Sequence, residues 1–129
     1  MSIRQLGLWG PVALVSGGIF YLSHHPNPPS PPGAPDWLLH GLEYGVLGFV
    51  LAVAMAGGWG RPVNMRIKLL TLVCGVAYGI SDEFHQSFIP GRHPSGGDVL
   101  ADTAGTLAGL AAAVAFARLR PQTHEMSSR

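Results

Sequence analysis

Apolar residues gather in four long runs, which are separated by short segments rich in glycine and proline. The runs cover residues 6–22, 36–57, 62–81 and 99–117, and their interiors are rich in Leu, Val, Ala and Gly. We therefore predict four α-helices. At about 1.5 Å per residue, helices of this length extend roughly 25–33 Å, close to the hydrocarbon thickness of a bilayer. The pattern predicts an all-α bundle of four transmembrane helices.

The composition supports a membrane location. Charged residues make up only 12% of the 129 residues, about half of the share that is usual in soluble domains. A single cysteine excludes a disulfide scaffold, and a formal net charge of +1 removes the main electrostatic attraction for nucleic acid. We expect a multi-pass protein of the cell membrane, surrounded by the lipid bilayer and without a nucleic-acid partner.

The connecting segments predict one domain and a tail. The first link, residues 23–35, contains six prolines and no Lys, Arg, Asp or Glu. This composition predicts an extended, polyproline-like chain. Residues 58–61 predict a tight turn and residues 89–97 an irregular loop. We place a transmembrane domain at 1–120 and a polar tail at 121–129. The first run could also be a signal peptide, but no small-x-small cleavage site follows it, which favours an uncleaved helix.

The basic residues predict the orientation of the helices. With four spans, the two chain ends and the second link lie on one side of the membrane. That side holds seven of the eight bases: Arg4, Arg61, Arg66, Lys68, Arg118, Arg120 and Arg129. The other side holds Arg92 alone. The positive-inside rule then predicts that both termini are cytoplasmic.

The acidic residues gather at the opposite, extracytoplasmic ends of helices 2 to 4. Six of the seven acids lie there, accompanied by histidines, a tyrosine, a glutamine and one arginine. These residues, called the polar cluster below, are Asp36, His40, Glu43, Tyr44, Asp82, Glu83, His85, Gln86, Arg92, Asp98 and Asp102. Ionisable groups near hydrocarbon are unfavourable unless they pair or line a wet cavity, so the cluster predicts a functional site.

Residue spacing places parts of the cluster on shared helix faces. Asp36, His40 and Glu43 follow an i, i+4, i+7 pattern, and Asp98, which we expect to begin the fourth helix, stands four residues before Asp102. Small residues continue both faces inward. The spacings Gly41-xxx-Gly45 and Gly105-xxx-Gly109 are typical of membrane helices that approach each other closely.

Four interpretations of the cluster compete. It could be a structural network in which Arg92 and the histidines neutralise carboxylates. It could hold a divalent metal, because a carboxylate and a histidine at i, i+3 spacing occur in metal-binding bundles; the candidate ligands are His40, Glu43, Asp82 and His85. Glu43 beside a histidine also suits proton-coupled catalysis or transport. Finally, carboxylates and Tyr44 as acceptors, with Arg92 as a bidentate donor, suit a ligand site.

Three blocks of sequence resemble a known family. They are residues 36–49 (DWLLHGLEYGVLGF), 81–95 (SDEFHQSFIPGRHPS) and 98–105 (DVLADTAG). They resemble the signature blocks of the VanZ-like family, small bacterial membrane proteins whose founding member is associated with resistance to the glycopeptide antibiotic teicoplanin. The resemblance covers roughly residues 6–118, and the second block is the most specific.

The resemblance implies a multi-pass protein of the bacterial cytoplasmic membrane. The family's polar positions fall on His40, Glu43, Tyr44, Asp82, Glu83, His85, Gln86, Arg92 and Asp98. The family commonly has Asn where this chain has Asp102, which adds a negative charge here. The resemblance implies no settled reaction.

We expect a site that binds a glycopeptide or a cell-envelope ligand and is linked to antibiotic resistance. One alternative is a membrane-embedded, metal-assisted enzyme that acts on a lipid or a lipid-linked envelope precursor. The other is an oligomeric, proton-coupled exporter of small molecules.

Overall fold

The computed structural model describes residues 1–120, which form four α-helices joined by three links. The helices are α1 (Ile3–Ser23), α2 (Asp36–Met55), α3 (Met65–Gln86) and α4 (Gly96–Leu119). No strand occurs within these 120 residues. The all-α, four-helix prediction is therefore confirmed. The predicted tail at 121–129, with its Arg129, lies outside the described residues.

Three of the four helices, α1, α2 and α4, are long and apolar enough to cross a membrane. The third, α3, has a similar length of 22 residues, but both of its ends are polar. Arg66 and Lys68 lie in its first turn, and Asp82 to Gln86 form its last turn. Its apolar part is consequently shorter than that of its neighbours. The helices as a set are those of an integral membrane protein.

The distribution of side chains is the inverse of that in a soluble bundle. Large apolar residues such as Leu14, Val73 and Leu100 are 62–79% exposed on the outside of the helices. Charged or polar residues, including Asp82 and Asp102, are buried between them. This arrangement is stable where hydrocarbon, rather than water, surrounds the bundle.

Close contact between α2 and α4 forms the centre of the bundle. A Cβ atom added to Gly105 would overlap the backbone of Gly41, and one added to Gly109 would overlap the backbone of Gly45. The two helices are therefore so close that only glycine fits at positions 105 and 109 of α4. Both predicted small-residue spacings lie in this contact.

The third helix contributes glycines to the same centre. Thr106 of α4 is enclosed by Gly48 of α2 and Gly75 of α3, and neither position has room for a Cβ atom. A Cβ atom at Gly79 of α3 would stand only 2.9 Å from Oδ2 of Asp102. Asp102 and Thr106, one turn apart on α4, thus occupy space that the glycines of α2 and α3 leave open.

One end of the bundle carries the basic residues of the described part of the chain, with the exception of Arg92. Arg4 at the start of α1 donates from Nη2 to the carbonyl oxygen of Gly57 at 3.2 Å. Gly60, in the same link, packs against the side chain of Arg120 at the end of α4. The start of α1, the link after α2 and the end of α4 therefore meet at this end, and the polar cluster lies at the other.

The contact between α2 and α4 predicts the effect of adding a single methyl group. We expect Gly109→Ala to lower the free energy of unfolding by about 1–3 kcal/mol, because the added methyl group forces the two backbones apart. Reversible unfolding in detergent micelles, followed by circular dichroism, measures this change. Gly17→Ala on α1 is the control, since nothing lies within 4 Å of the added atom there. Equal stability of the two variants would contradict the proposed packing.

Candidate functional site

A small, open cavity of about 30 Å³ lies at the polar end of the bundle. Six members of the polar cluster line it: Asp36, His40, Glu43, Asp82, Gln86 and Arg92. They come from α2, from the last turn of α3 and from the link that follows α3. The helices and the link therefore bring more than half of the predicted cluster to one cavity.

The shortest contact between ionisable groups in the cluster joins α2 to α4. Nδ1 of His40 lies 2.9 Å from Oδ1 of Asp102, and both side chains are buried. The second ring nitrogen of His40, Nε2, is directed toward the first turn of α2, where Oδ2 of the exposed Asp36 lies 3.9 Å away. The imidazole thus connects a buried carboxylate to the cavity.

Several buried polar atoms of the cluster have no hydrogen-bond partner among the described residues. Oε2 of Glu83 accepts a hydrogen bond from the backbone N–H of Ser95 at 2.8 Å, but Oε1 accepts none. Oδ2 of Asp102 and the hydroxyl of Tyr44 are also unpartnered. Buried polar groups in folded proteins nearly always have a hydrogen-bond partner. These atoms therefore indicate that the site can bind an additional partner.

Carboxylates in the cluster are not neutralised by arginine or lysine. Within residues 1–120, ion pairs of 4.0 Å or less involve only His40, with Asp36 and Asp102. Arg92 lines the cavity, yet its buried Nε has no hydrogen-bond partner among these residues. A self-neutralising network therefore accounts for the contacts of His40. It does not provide a counter-charge for the remaining carboxylates, or a partner for Nε of Arg92, among these residues.

A tight turn after α3 positions Arg92. The backbone N–H of Arg92 donates to the carbonyl oxygen of Ile89 at 3.1 Å, and Gly91 has a φ of +85°. With Pro90 before the glycine, this is the residue pattern of a type II turn, in which only the third position needs a positive φ.

The fourth helix begins earlier than expected. It starts at Gly96, and the Ser95 side chain caps it by accepting from the N–H of Gly97 at 3.0 Å. The prediction that Asp98 begins this helix was wrong, because the Ser95 hydroxyl accepts from the N–H of Gly97 and its carbonyl oxygen accepts from the N–H of Asp98, so that the first turn forms before Asp98. Asp98 lies in the first turn, and one of its oxygens is within 4.8 Å of donor atoms of Asp36 and His40.

His85 lies outside the cavity, against the end of α1. Its Nε2 lies 3.3 Å from Nδ1 of His24, and its ring packs against Phe20 at 4.8 Å between centroids. Both partners belong to the end of α1 and the link after it. His85 thus holds α1 against α3 and does not line the cavity.

Among residues 1–120, the donor atoms that could hold a metal form two groups, both of which include His40. The first comprises Asp36, His40 and Asp98, and the second comprises His40, Glu83 and Asp102; within each group the donor atoms lie within 4.8 Å of one another. Of the four ligands predicted from i, i+3 spacing, only His40 belongs to either group. Contacts between helices, rather than neighbours on one helix, bring these donors together.

Sequence reasoning missed the contribution of α1 and the proline-rich link to the cavity. Ser23, Pro28 and Pro29 form part of its wall. Ser23 is buried, and its hydroxyl has no partner among the described residues. No local signal marks these residues, since Ser23 ends an apolar helix and the prolines are typical of any extended link. Their position depends on how α1 packs against α2 and α3.

Comparison with known proteins identifies the family. The family model described as VanZ/LLP1 matches residues 36–117, from the first residue of α2 into the last turns of α4. The chain belongs to this family, as the resemblance of its three sequence blocks predicts, and it is a VanZ-like membrane protein. Neither the curated proteins nor the solved structures contain a significant match. The match includes every residue of the polar cluster, whereas α1 precedes it.

The pairing of His40 with Asp102 predicts an energetic coupling between α2 and α4. In a double-mutant cycle with His40→Gln and Asp102→Asn, we expect a coupling energy of about 1.5–3 kcal/mol, as for a hydrogen bond to a charged group. Unfolding free energies in detergent micelles supply the four values of the cycle.

A second cycle, with His40→Gln and Asp36→Asn, is the control. Because Asp36 is 3.9 Å away and 61% exposed, its coupling should stay below about 1 kcal/mol. Equal coupling in the two cycles would show that His40 has no preferred partner in the bundle.

Proposed function

We propose that this chain is a protein of the bacterial cytoplasmic membrane whose cavity binds a glycopeptide antibiotic or a cell-envelope ligand on the extracytoplasmic side. One observation carries the proposal: an open cavity, lined by three carboxylates, an amide and a guanidinium, at one end of an otherwise apolar bundle. Polar groups of this kind are unfavourable near hydrocarbon, and they are typical of a site that receives a polar molecule.

The charges of the lining suggest which ligand chemistry is favoured. Asp36, Glu43 and Asp82 line the cavity together with a single arginine, Arg92. Carboxylates accept hydrogen bonds from ammonium, amide and hydroxyl groups, whereas they repel phosphate. The cavity admits only small groups, so its lining favours a ligand that presents amino groups and N–H or O–H donors at its surface, with one acidic group for Arg92. A glycopeptide has this combination of groups, which supports a role in glycopeptide resistance.

The distribution of bases supports an outward-facing cavity. All bases of the described residues except Arg92 lie toward the opposite end of the bundle, in the first turns of α1 and α3, in the link after α2 and at the end of α4. Under the positive-inside rule that end is cytoplasmic. The cavity is then at the surface where antibiotics and envelope components meet the membrane.

Ligand binding can be tested with teicoplanin and the purified protein. We expect saturable binding in detergent, and we expect Glu43→Gln and Arg92→Ala each to weaken it about tenfold, the equivalent of about 1.4 kcal/mol, through loss of a charge-assisted hydrogen bond. Isothermal titration calorimetry measures the affinities. In cells that express the protein, the same variants should lose protection against teicoplanin while protein levels are unchanged.

Arg61→Ala is the matched control for Arg92→Ala. Arg61 is an exposed arginine in the link at the basic end, so its removal should leave both binding and protection unchanged. Absence of binding by the unaltered protein, or equal affinities for all three variants, would refute a glycopeptide site in this cavity.

Orientation is tested by labelling single cysteines. The native Cys74 is exposed on the surface of the bundle, so the experiment starts from Cys74→Ala. In that background we expect a membrane-impermeant maleimide to label Arg92→Cys in intact cells and to label Arg61→Cys only after the cells are opened. Labelling of position 61 from outside intact cells would reverse the proposed orientation.

A further inference from the structure

Three buried side chains from three different helices converge beneath the cavity. His40 of α2, Glu83 of α3 and Asp102 of α4 each offer a donor atom, and these atoms lie within 4.8 Å of one another. Their exposed fractions are 5%, 7% and 0%. Two carboxylates and an imidazole are thus enclosed in the interior of a membrane bundle.

The carboxylates of this group retain unused acceptor atoms. Oε1 of Glu83 and Oδ2 of Asp102 are buried and accept no hydrogen bond from any described residue. A buried oxygen without a donor is unfavourable by about 1–3 kcal/mol, and more if it is charged. Two such oxygens on adjacent side chains point to a bound cation, because one cation can satisfy both of them.

The balance of charge supports the same conclusion. Within residues 1–120, no arginine or lysine lies within 4.0 Å of either carboxylate; the one ion pair there joins Asp102 to His40. Isolated ionised carboxylates are strongly unfavourable away from water. A dication would balance the two carboxylates, with neutral His40 as a third ligand.

We propose that His40, Glu83 and Asp102 bind one divalent transition-metal ion, of the class of Zn²⁺, in the interior of the bundle. An imidazole nitrogen with two carboxylate oxygens is a ligand set that zinc accepts, and three protein ligands leave a fourth position open. The imidazole favours a transition metal over Mg²⁺ or Ca²⁺, which take oxygen ligands.

The surroundings hold two of these ligands in place. Oε2 of Glu83 is fixed by the N–H of Ser95 at 2.8 Å, and the Asp102 side chain is enclosed by Gly79 of α3. The outer group, in which Asp36 and Asp98 approach His40, differs because Asp36 is exposed. Water can solvate that carboxylate, whereas the buried group depends on a ligand.

The inference does not depend on the proposed glycopeptide site. His40 takes part in both, but Zn²⁺ binding is measured without any antibiotic, so the two proposals can fail separately.

The test uses the full chain, purified in detergent and stripped of metal with a chelator. Zn²⁺ is added, and its content after dialysis is measured by mass spectrometry; competition with a chromophoric chelator gives the affinity. We expect one Zn²⁺ per chain, and a visible absorption spectrum of coordinated Co²⁺ when cobalt replaces zinc. Glu83→Gln and Asp102→Asn should each weaken Zn²⁺ binding at least about tenfold, the minimum usually seen even for loss of an outer-shell partner.

Glu43→Gln is the matched control. It removes a carboxylate from the same end of the bundle, but Glu43 belongs to neither donor group, so Zn²⁺ affinity should be unchanged. If Asp102→Asn does not fold, Glu83→Gln carries the test alone, with folding checked by circular dichroism. Failure of the unaltered protein to bind Zn²⁺ would overturn the proposal, and so would a loss of binding in Asp36→Asn with none in Glu83→Gln.

Discussion

The close approach of α2 and α4 is the constraint on which the rest of the structure depends. At Gly105 and Gly109 the backbone of α4 lies so close to that of α2 that even a methyl group is excluded. This contact sets the rotation of each helix about its axis, and it thereby brings His40 opposite Asp102 at 2.9 Å. Without this contact between α2 and α4, the imidazole of His40 and the carboxylate of Asp102 would not lie within hydrogen-bond distance of each other.

The third helix, α3, contributes glycines to the centre of the bundle, and these leave space for side chains of α4. Gly75 and Gly79 face Thr106 and Asp102, so the polar side chains of α4 occupy room that larger residues on α3 would take. The last turn of α3 then supplies Asp82, Glu83 and Gln86, all buried. Because hydrocarbon solvates the outer surface, a bundle of this kind can keep its polar groups inside, where they lie close to a common cavity.

The links determine how that cavity is bounded. The turn from Ile89 to Arg92 brings an arginine to the cavity, and Ser95 both caps α4 and holds Glu83. The proline-rich link forms another part of the wall, close to where α1 contacts α3 through His24 and His85. Polar side chains at helix ends therefore become a site only when the connections around them are in place.

The sequence by itself determined the four helices, the gathering of bases at one end and the presence of a polar cluster at the other, since hydropathy and charge are properties of consecutive residues. Only the tertiary structure decided which members of the cluster meet. Spacing along α2 groups His40 with Glu43, yet the contact in the bundle is with Asp102; likewise His85 turns to His24 rather than to Asp82. Spacing assigns a residue to a helix face, but the packing of glycines decides which faces meet.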